Sequence, residues 1–468
     1  IEPVRRAKPL RPAEPFVEDA ASAAGVGAGA PAAPAAPDGF SPGDPSFYGA
    51  TYKQNLLMQT PALHALGLTG QGVLVCVLDT GFRTTHQVFS GLQILATRDF
   101  VNGDLVVDDE PGEDDPGEAS HGTVTTACIA GLKPGTYAGG AFGATVALGK
   151  TENVSEDSMG TETPVEMDNW QFGAEWADSL GADVISSSLG YSTFDNPADS
   201  YDYSDMDGQT TVVTRAASEA VRRGITVVTA AGNAGAQPWH FIIAPADADT
   251  VIAAGAVDSF NVVTAFSSRG PTADGRTKPD VTAMGRSVYV PSFSSSSTYG
   301  RVSGTSLATP LMAGLVALLL ESHPTWGPFE IREALRETAL NHNAPNNDIG
   351  WGLVQGLAAV GWVPSTTDVP GAVSVPIALA AAPNPFRRAG GTLIRFSATG
   401  PVTLDAHDAR GRRVARLFEG VADGSAEVSW RGTNDGGSPL APGVYWLRLS
   451  GPKGTGARAD VRRVVLLP

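Results

Sequence analysis

The chain has 468 residues, of which 42% are hydrophobic and 17% charged, a composition of folded domains rather than of a disordered polymer. Its formal net charge of -17 excludes nucleic acid as an electrostatic partner. The charge is uneven: basic residues outnumber acidic ones 13 to 7 over residues 371–468, against 19 to 42 upstream, which predicts two domains of different character.

Residues 1–47 are rich in Ala, Pro and Gly and read as a flexible arm that cannot bury a core. The chain starts at Ile1 without an apolar leader, so the expectation is that a signal peptide or pro-segment has been removed. From residue 48 to 363, strand-like and helix-like segments alternate. GVLVCVLD (72–79) is a continuous apolar run ending in an acid, as in a strand buried on both faces. TVTTACIAG (123–131) reads as a helix, and PVEMDNWQFGAEWADSLG (164–181) as an amphipathic helix closed by Gly181. A strand follows at 182–190, a helix at 210–224, a strand at 225–232, and helices at 306–323 and 327–340. This alternation predicts an α/β domain, a parallel sheet with helices on both faces. No apolar run reaches the about 20 residues of a membrane-spanning helix. Residues 364–382 read as a linker or first strand. Over 383–468, short alternating segments between Gly, Pro and Asp turns predict a C-terminal all-β, immunoglobulin-like sandwich.

Ser306 opens the apolar helix at 306–323 in the stretch GTSLATP. A serine there is either an N-cap or a nucleophile whose own N–H is free at the positive end of a helix. A nucleophile needs a histidine base, and that base needs a carboxylate to orient it. Of seven histidines, His121 alone lies in a tight Gly-Thr context at a helix start. Asp79 ends the first long strand, at the carboxyl rim where functional groups gather in open α/β sheets.

VLVCVLDTGF, SHGT, SSSLGY, VVTAAGN, FSSRGP and GTSLATP occur in that order. With these motifs, residues 52–361 closely resemble the subtilisin-like serine proteases. The resemblance implies that Asp79 is the triad acid, His121 the general base and Ser306 the nucleophile. It implies that Asn233 and the Ser306 N–H hold the oxyanion. It implies that Ser188, Leu189 and Gly190 form one wall of the main specificity pocket and Ala230, Ala231 and Gly232 the other, with small residues leaving room between. Recognition by backbone pairing with an extended substrate then implies a broad endopeptidase acting on proteins or peptides. The rivals are a catalytically dead binding or adhesion protein on the same fold, and a narrow maturation protease. The chain departs from the family at Met284, Val124 and Ala127, none of them a triad position.

No cofactor is expected for the chemistry. The family often carries structural Ca²⁺, and of the acidic loops 102–118 and 195–208, the second offers Asp205 and Asp207 as candidate ligands; the alternative is solvated acidic loops. Asp247 and Asp249 are candidates for favouring a basic substrate side chain, against ordinary solvated acids. His86 and His240 read as structural. Cys76 and Cys128 form a disulfide if strand and helix bring them together, but two buried free thiols are the commoner arrangement.

In the tail, NPF (384–386), DARGRRVARLFEG, WRGTNDGGSPLAPGVYWLRLSG and the terminal VVLLP resemble the FlgD-like immunoglobulin domain and the related C-terminal sorting domain of type IX secretion. That resemblance implies export, surface attachment and a secretion-machinery partner. The alternative is an accessory sandwich with no sorting role.

Overall fold

The computed structural model describes residues 41–154, 162–363, 379–382, 384, 386–408, 412–450 and 460–467. Seven strands form the main sheet: β1 (Leu74–Asp79), β2 (Gln93–Asp99), β3 (Thr145–Lys150), β4 (Val184–Ser187), β5 (Thr226–Ala230), β6 (Ile252–Val257) and β7 (Val281–Met284). Their order across the sheet is β2-β3-β1-β4-β5-β6-β7, and every pairing is parallel. The predicted α/β architecture is the observed one.

Alternation along β1 explains the two layers. Val75 and Val77 point to one face, where they meet helices α1 (Ser120–Ala130) and α4 (Thr305–Ser322). Cys76 and Leu78 point to the other, against α2 (Val165–Leu180) and α3 (Val212–Arg222). A strand buried on both faces must be apolar at every position, hence LVCVL. Gly181 closes α2 at φ 84°, a left-handed cap that glycine adopts without strain. Thr211 caps α3 by accepting from the Thr214 N–H.

Helix α4 is apolar and long enough to cross a membrane by length and composition. It does not need one, because every residue from Thr305 to Leu319 is buried in the fold; a helix apolar all round belongs in a core. The cysteines cannot pair: Cys76 belongs to one core layer and Cys128 to the other, with the sheet between. Both are free and buried, and burial pushes the Cys128 thiol up to about 12.

One expected boundary moves. Pro45–Tyr48 form a short helix whose Phe47 and Tyr48 are buried, so residues that composition assigned to the arm belong to the folded domain; residues 1–40 lie outside the described residues. Of the two readings of 364–382, Leu379–Ala382 is strand, pairing antiparallel with Thr392–His407, while 364–378 lie outside the described residues. The C-terminal region is all β, as expected, with its own core around Ile394, Leu404, Leu447, Leu449 and Val464. Asn384 stands in for a strand partner: its Nδ2 donates to the Arg463 carbonyl (3.0 Å) and its Oδ1 accepts from Val465 N–H (2.8 Å).

Candidate active site

The chain runs from β1 to one side of the sheet and later continues at β4 on the other. The carboxyl end of β1 is therefore the switch point, where open α/β sheets form crevices. Asp79 is the last residue of β1 and is fully buried. Its Oδ1 accepts from His121 Nδ1 at 2.6 Å and from the Thr80 N–H at 2.8 Å. Its Oδ2 accepts from the Thr125 hydroxyl at 2.9 Å. Both oxygens are thus engaged, and the carboxylate has one orientation.

His121 is the second residue of α1 and Ser306 the second residue of α4; the two helices pack against each other. The Asp79 contact fixes Nδ1 as the protonated nitrogen and leaves Nε2 to act as a base. Burial alone would lower the imidazole pKa, but the charge and hydrogen bond of Asp79 outweigh it and raise the pKa above 6.5. No hydrogen bond joins His121 to the Ser306 hydroxyl in this structure. In unliganded sites such bonds are often long and tighten with substrate.

Gly304 explains how Ser306 meets Asn233. A Cβ at position 304 would lie 2.7 Å from Ser306 Oγ and 3.6 Å from Asn233 Nδ2. Hydroxyl and amide therefore border the same small space, which only glycine leaves open. The amide is oriented by Thr305: Asn233 Oδ1 accepts from the Thr305 N–H (2.9 Å) and hydroxyl (3.1 Å). Its NH₂ group is left to face the space beside Ser306. Thr305 Oγ1 also accepts from the Gly232 N–H at 3.2 Å, tying the start of α4 to the loop after β5.

The two segments expected to form the substrate walls differ in burial. Ser188 donates to the Ser306 carbonyl at 2.8 Å, and Leu189 packs into the core below. Gly190 is exposed, whereas Ala230, Ala231 and Gly232 are buried. The side chain of Ile243 packs on both Gly190 and Gly232.

Asp205 and Asp207 both accept hydrogen bonds from donors of their own loop. Asp205 Oδ2 accepts from Asp202 N–H, and Asp207 accepts from Gln209 N–H, Thr210 N–H and the Thr210 hydroxyl. In the other acidic loop, one oxygen each from Asp104, Glu110 and Glu113 lie within 4.8 Å of one another. Asp247 is buried and accepts from the Thr214 hydroxyl (2.6 Å) and Gly208 N–H (2.8 Å), so it is not offered to substrate. Asp249 is exposed, and its carbonyl accepts from Arg332. His86 caps a short 3₁₀ turn through Val88 N–H, and His240 bonds the Gly235 carbonyl; both are structural.

Sequence reasoning did not single out Thr125 or Thr305. Each is a fully buried hydroxyl set one to four residues from an expected catalytic residue. That spacing, which puts a polar group on the same helical turn, was the available signal.

Comparison with known proteins identifies the family. Residues 70–352 match the model of the Subtilase family. The chain is 33% identical over 288 residues to Subtilisin DY of Bacillus licheniformis, covering 61% of this chain and 90% of the relative. It is 33% identical over 302 residues to Subtilisin BL of Lederbergia lenta, covering 64% and 96% respectively. In fold it is similar to MycP1 solved with its N-terminal propeptide removed, at a TM-score of 0.51 and 21% identity, over 67% of this chain and 98% of that one. A parallel sheet with a buried aspartate at its switch point, and a family match spanning more than half of the residues, lead to one conclusion: the chain belongs to the subtilase family of serine peptidases.

Proposed function

We propose that the chain is a secreted serine endopeptidase that cleaves peptide bonds through Asp79, His121 and Ser306 by way of an acyl-enzyme. His121 Nε2 takes the proton of Ser306 Oγ as the oxygen attacks the carbonyl carbon. Asn233 Nδ2–H and the Ser306 N–H, free at the start of α4, hold the negative oxygen. The imidazolium, steadied by Asp79, then gives its proton to the departing amine as the C–N bond breaks. Water repeats the sequence on the acyl group and restores the serine. The scheme uses only side chains and backbone and needs no cofactor. Extended substrate pairs by backbone along the 188–190 segment, a mode that favours breadth over sequence specificity.

The observation that carries this reading is the 2.6 Å contact from a fully buried Asp79 to His121 Nδ1. It orients an imidazole as a base, which a mere binding fold has no use for. Export and outer-surface attachment are our reading of the C-terminal all-β region, supported by its sorting-type motifs; susceptibility of the tail to added protease on intact cells tests it. For the chemistry, the full chain is incubated with a fluorophosphonate probe and with casein. Labelling and cleavage are expected in the wild type, both lost in Ser306→Ala, with kcat down about a million-fold, the loss characteristic of a subtilisin. A wild-type chain that neither labels nor cleaves is a binding protein and not a hydrolase. Cleavage confined to one partner protein would favour a maturation protease.

A further inference from the structure

The two wall segments, 188–190 and 230–232, are bridged by one side chain. A Cβ on Gly190 would lie 2.3 Å from Ile243 Cδ1 and 2.7 Å from its Cγ1. A Cβ on Gly232 would lie 3.1 Å from the same Cγ1 and 3.2 Å from the same Cδ1. The two glycines therefore do not open a deep slot between the walls. They make room for an isoleucine that stands in it.

That isoleucine is held from both sides. Its N–H donates to the Ala231 carbonyl at 3.4 Å, within one wall. The next residue, Ala244, pairs with Tyr191, the residue after Gly190, in both directions at 2.8 and 3.3 Å. Before it, the Ile242 N–H donates to the Arg269 carbonyl at 2.9 Å. With its backbone laced to both walls and a β-branched, rotationally stiff side chain, Ile243 is held beside both glycines. It is only half-buried, so one side of it faces the opening.

We propose that Ile243 is the floor of the pocket that takes the substrate side chain preceding the cleaved bond, and that it restricts this position to small residues: Gly, Ala or Ser. The inference rests on the hydrolase reading above and narrows its breadth at one substrate position. A Phe or Leu side chain would have to occupy volume already filled by Ile243 Cγ1 and Cδ1. Neither wall can yield, because each meets those carbons with glycine backbone. Discrimination of roughly 10–200-fold for a single misfitting methylene is usual in such pockets, so a benzyl group is expected to be rejected at least that strongly.

The test uses the full chain and peptide p-nitroanilides that differ only in the residue before the scissile bond, Ala, Leu or Phe, with fluorophosphonate labelling measured in parallel. The wild type is expected to favour Ala over Phe by about 100-fold or more in kcat/KM. Ile243→Gly is expected to raise Phe relative to Ala by a similar factor, with Ile243→Ala close behind. Should Ile243→Gly fail to fold, Ile243→Ala and the wild-type preference decide. A labelled wild type that cuts after Phe as readily as after Ala overturns the proposal, as does a labelled Ile243→Gly chain with unchanged preference. A wild type that neither labels nor cleaves overturns the hydrolase reading itself, and this assignment with it.

Discussion

The Ser188 hydroxyl donates to the carbonyl of Ser306 at 2.8 Å, and Pro310 is the reason that carbonyl is free. In an α-helix the carbonyl of residue 306 accepts from the N–H of residue 310. Proline has no N–H, so the first turn of α4 leaves one acceptor unmet. The Ser188 side chain fills that role and locks the 188–190 segment to Ser306. Ser188→Ala is expected to leave a carbonyl unsatisfied at a cost of about 1–3 kcal/mol, seen as a lower Tm. In a Pro310→Ala background the residue-310 N–H returns, and Ser188→Ala should cost measurably less. A double-mutant cycle in urea denaturation reads the difference; additive effects would mean the two residues are not coupled.

The Asp79–His121 pair sets the acid limb of the pH profile. Because the His121 pKa is raised by Asp79 against the lowering effect of burial, kcat/KM should fall as pH drops through a midpoint above 6.5. Asp79→Asn removes the charge that raises it, so the limb should move to lower pH while kcat falls by about 10⁴. For stability the sign is opposite. A raised histidine pKa stabilises the fold at pH values below the unfolded-state value, and the gain is lost as pH rises through the folded value. The pH giving full activity is thus one at which this contribution has already gone.

Asn233→Ala should lower kcat by roughly 10²–10³ with little change in KM, the worth of one oxyanion donor, a range that includes a subtilisin. Thr305→Val keeps the backbone contact but removes the hydroxyl that also grips Asn233 Oδ1 and Gly232 N–H. A loss of about 5-fold in kcat is expected, the equivalent of about 1 kcal/mol of lost hydrogen bonding. If Thr305→Val lowered Tm but left kcat intact, Thr305 would be a packing residue and not a positioning one.

Lys150, the last residue of β3, is buried against three carboxylates: a short contact to Asp114, with Asp99 at 3.5 Å and Glu118 at 3.6 Å. The Glu118 carbonyl in turn accepts from the hydroxyl of Thr80, next to Asp79. Burial lowers the Lys150 pKa, but these acids outweigh it and raise it, so the lysine is charged. Lys150→Met would strand the acids in the interior at a cost of about 3–5 kcal/mol. The deficit in denaturant stability should shrink as pH is lowered, because burial pushes Asp99 and Glu118 up and protonation then relieves them. A pH-independent deficit would point to lost packing alone.

What could be read in the sequence was whatever depends on near neighbours along the chain. The strand ending in Asp79, the helix starts at His121 and Ser306, and the left-handed stop at Gly181 all follow from local pattern. What escaped depends on contacts between distant segments. The acidic loop 102–118 reads as a cation-binding or solvated stretch; that Arg83 pairs with its Asp108 and Asp109 and the interior strand residue Lys150 with its Asp114 and Glu118 has no local mark. The glycines of the two walls suggested open space, and only the path of residues 242–244 reveals that it is occupied. Strand β2 was not singled out, because at the sheet edge Ile94 and Leu95 are exposed and the apolar pattern that betrays a buried strand is absent.

Helix α4 is both the mount of Ser306 and the centre of the larger core. A local opening that displaced the serine would have to expose the most apolar segment of the protein, so such openings are as rare as complete unfolding. Heat should therefore not produce a folded but inactive intermediate. Loss of turnover and loss of cooperative structure are expected at one temperature, and amide protons of residues 311–319 should exchange only on the timescale of global denaturation.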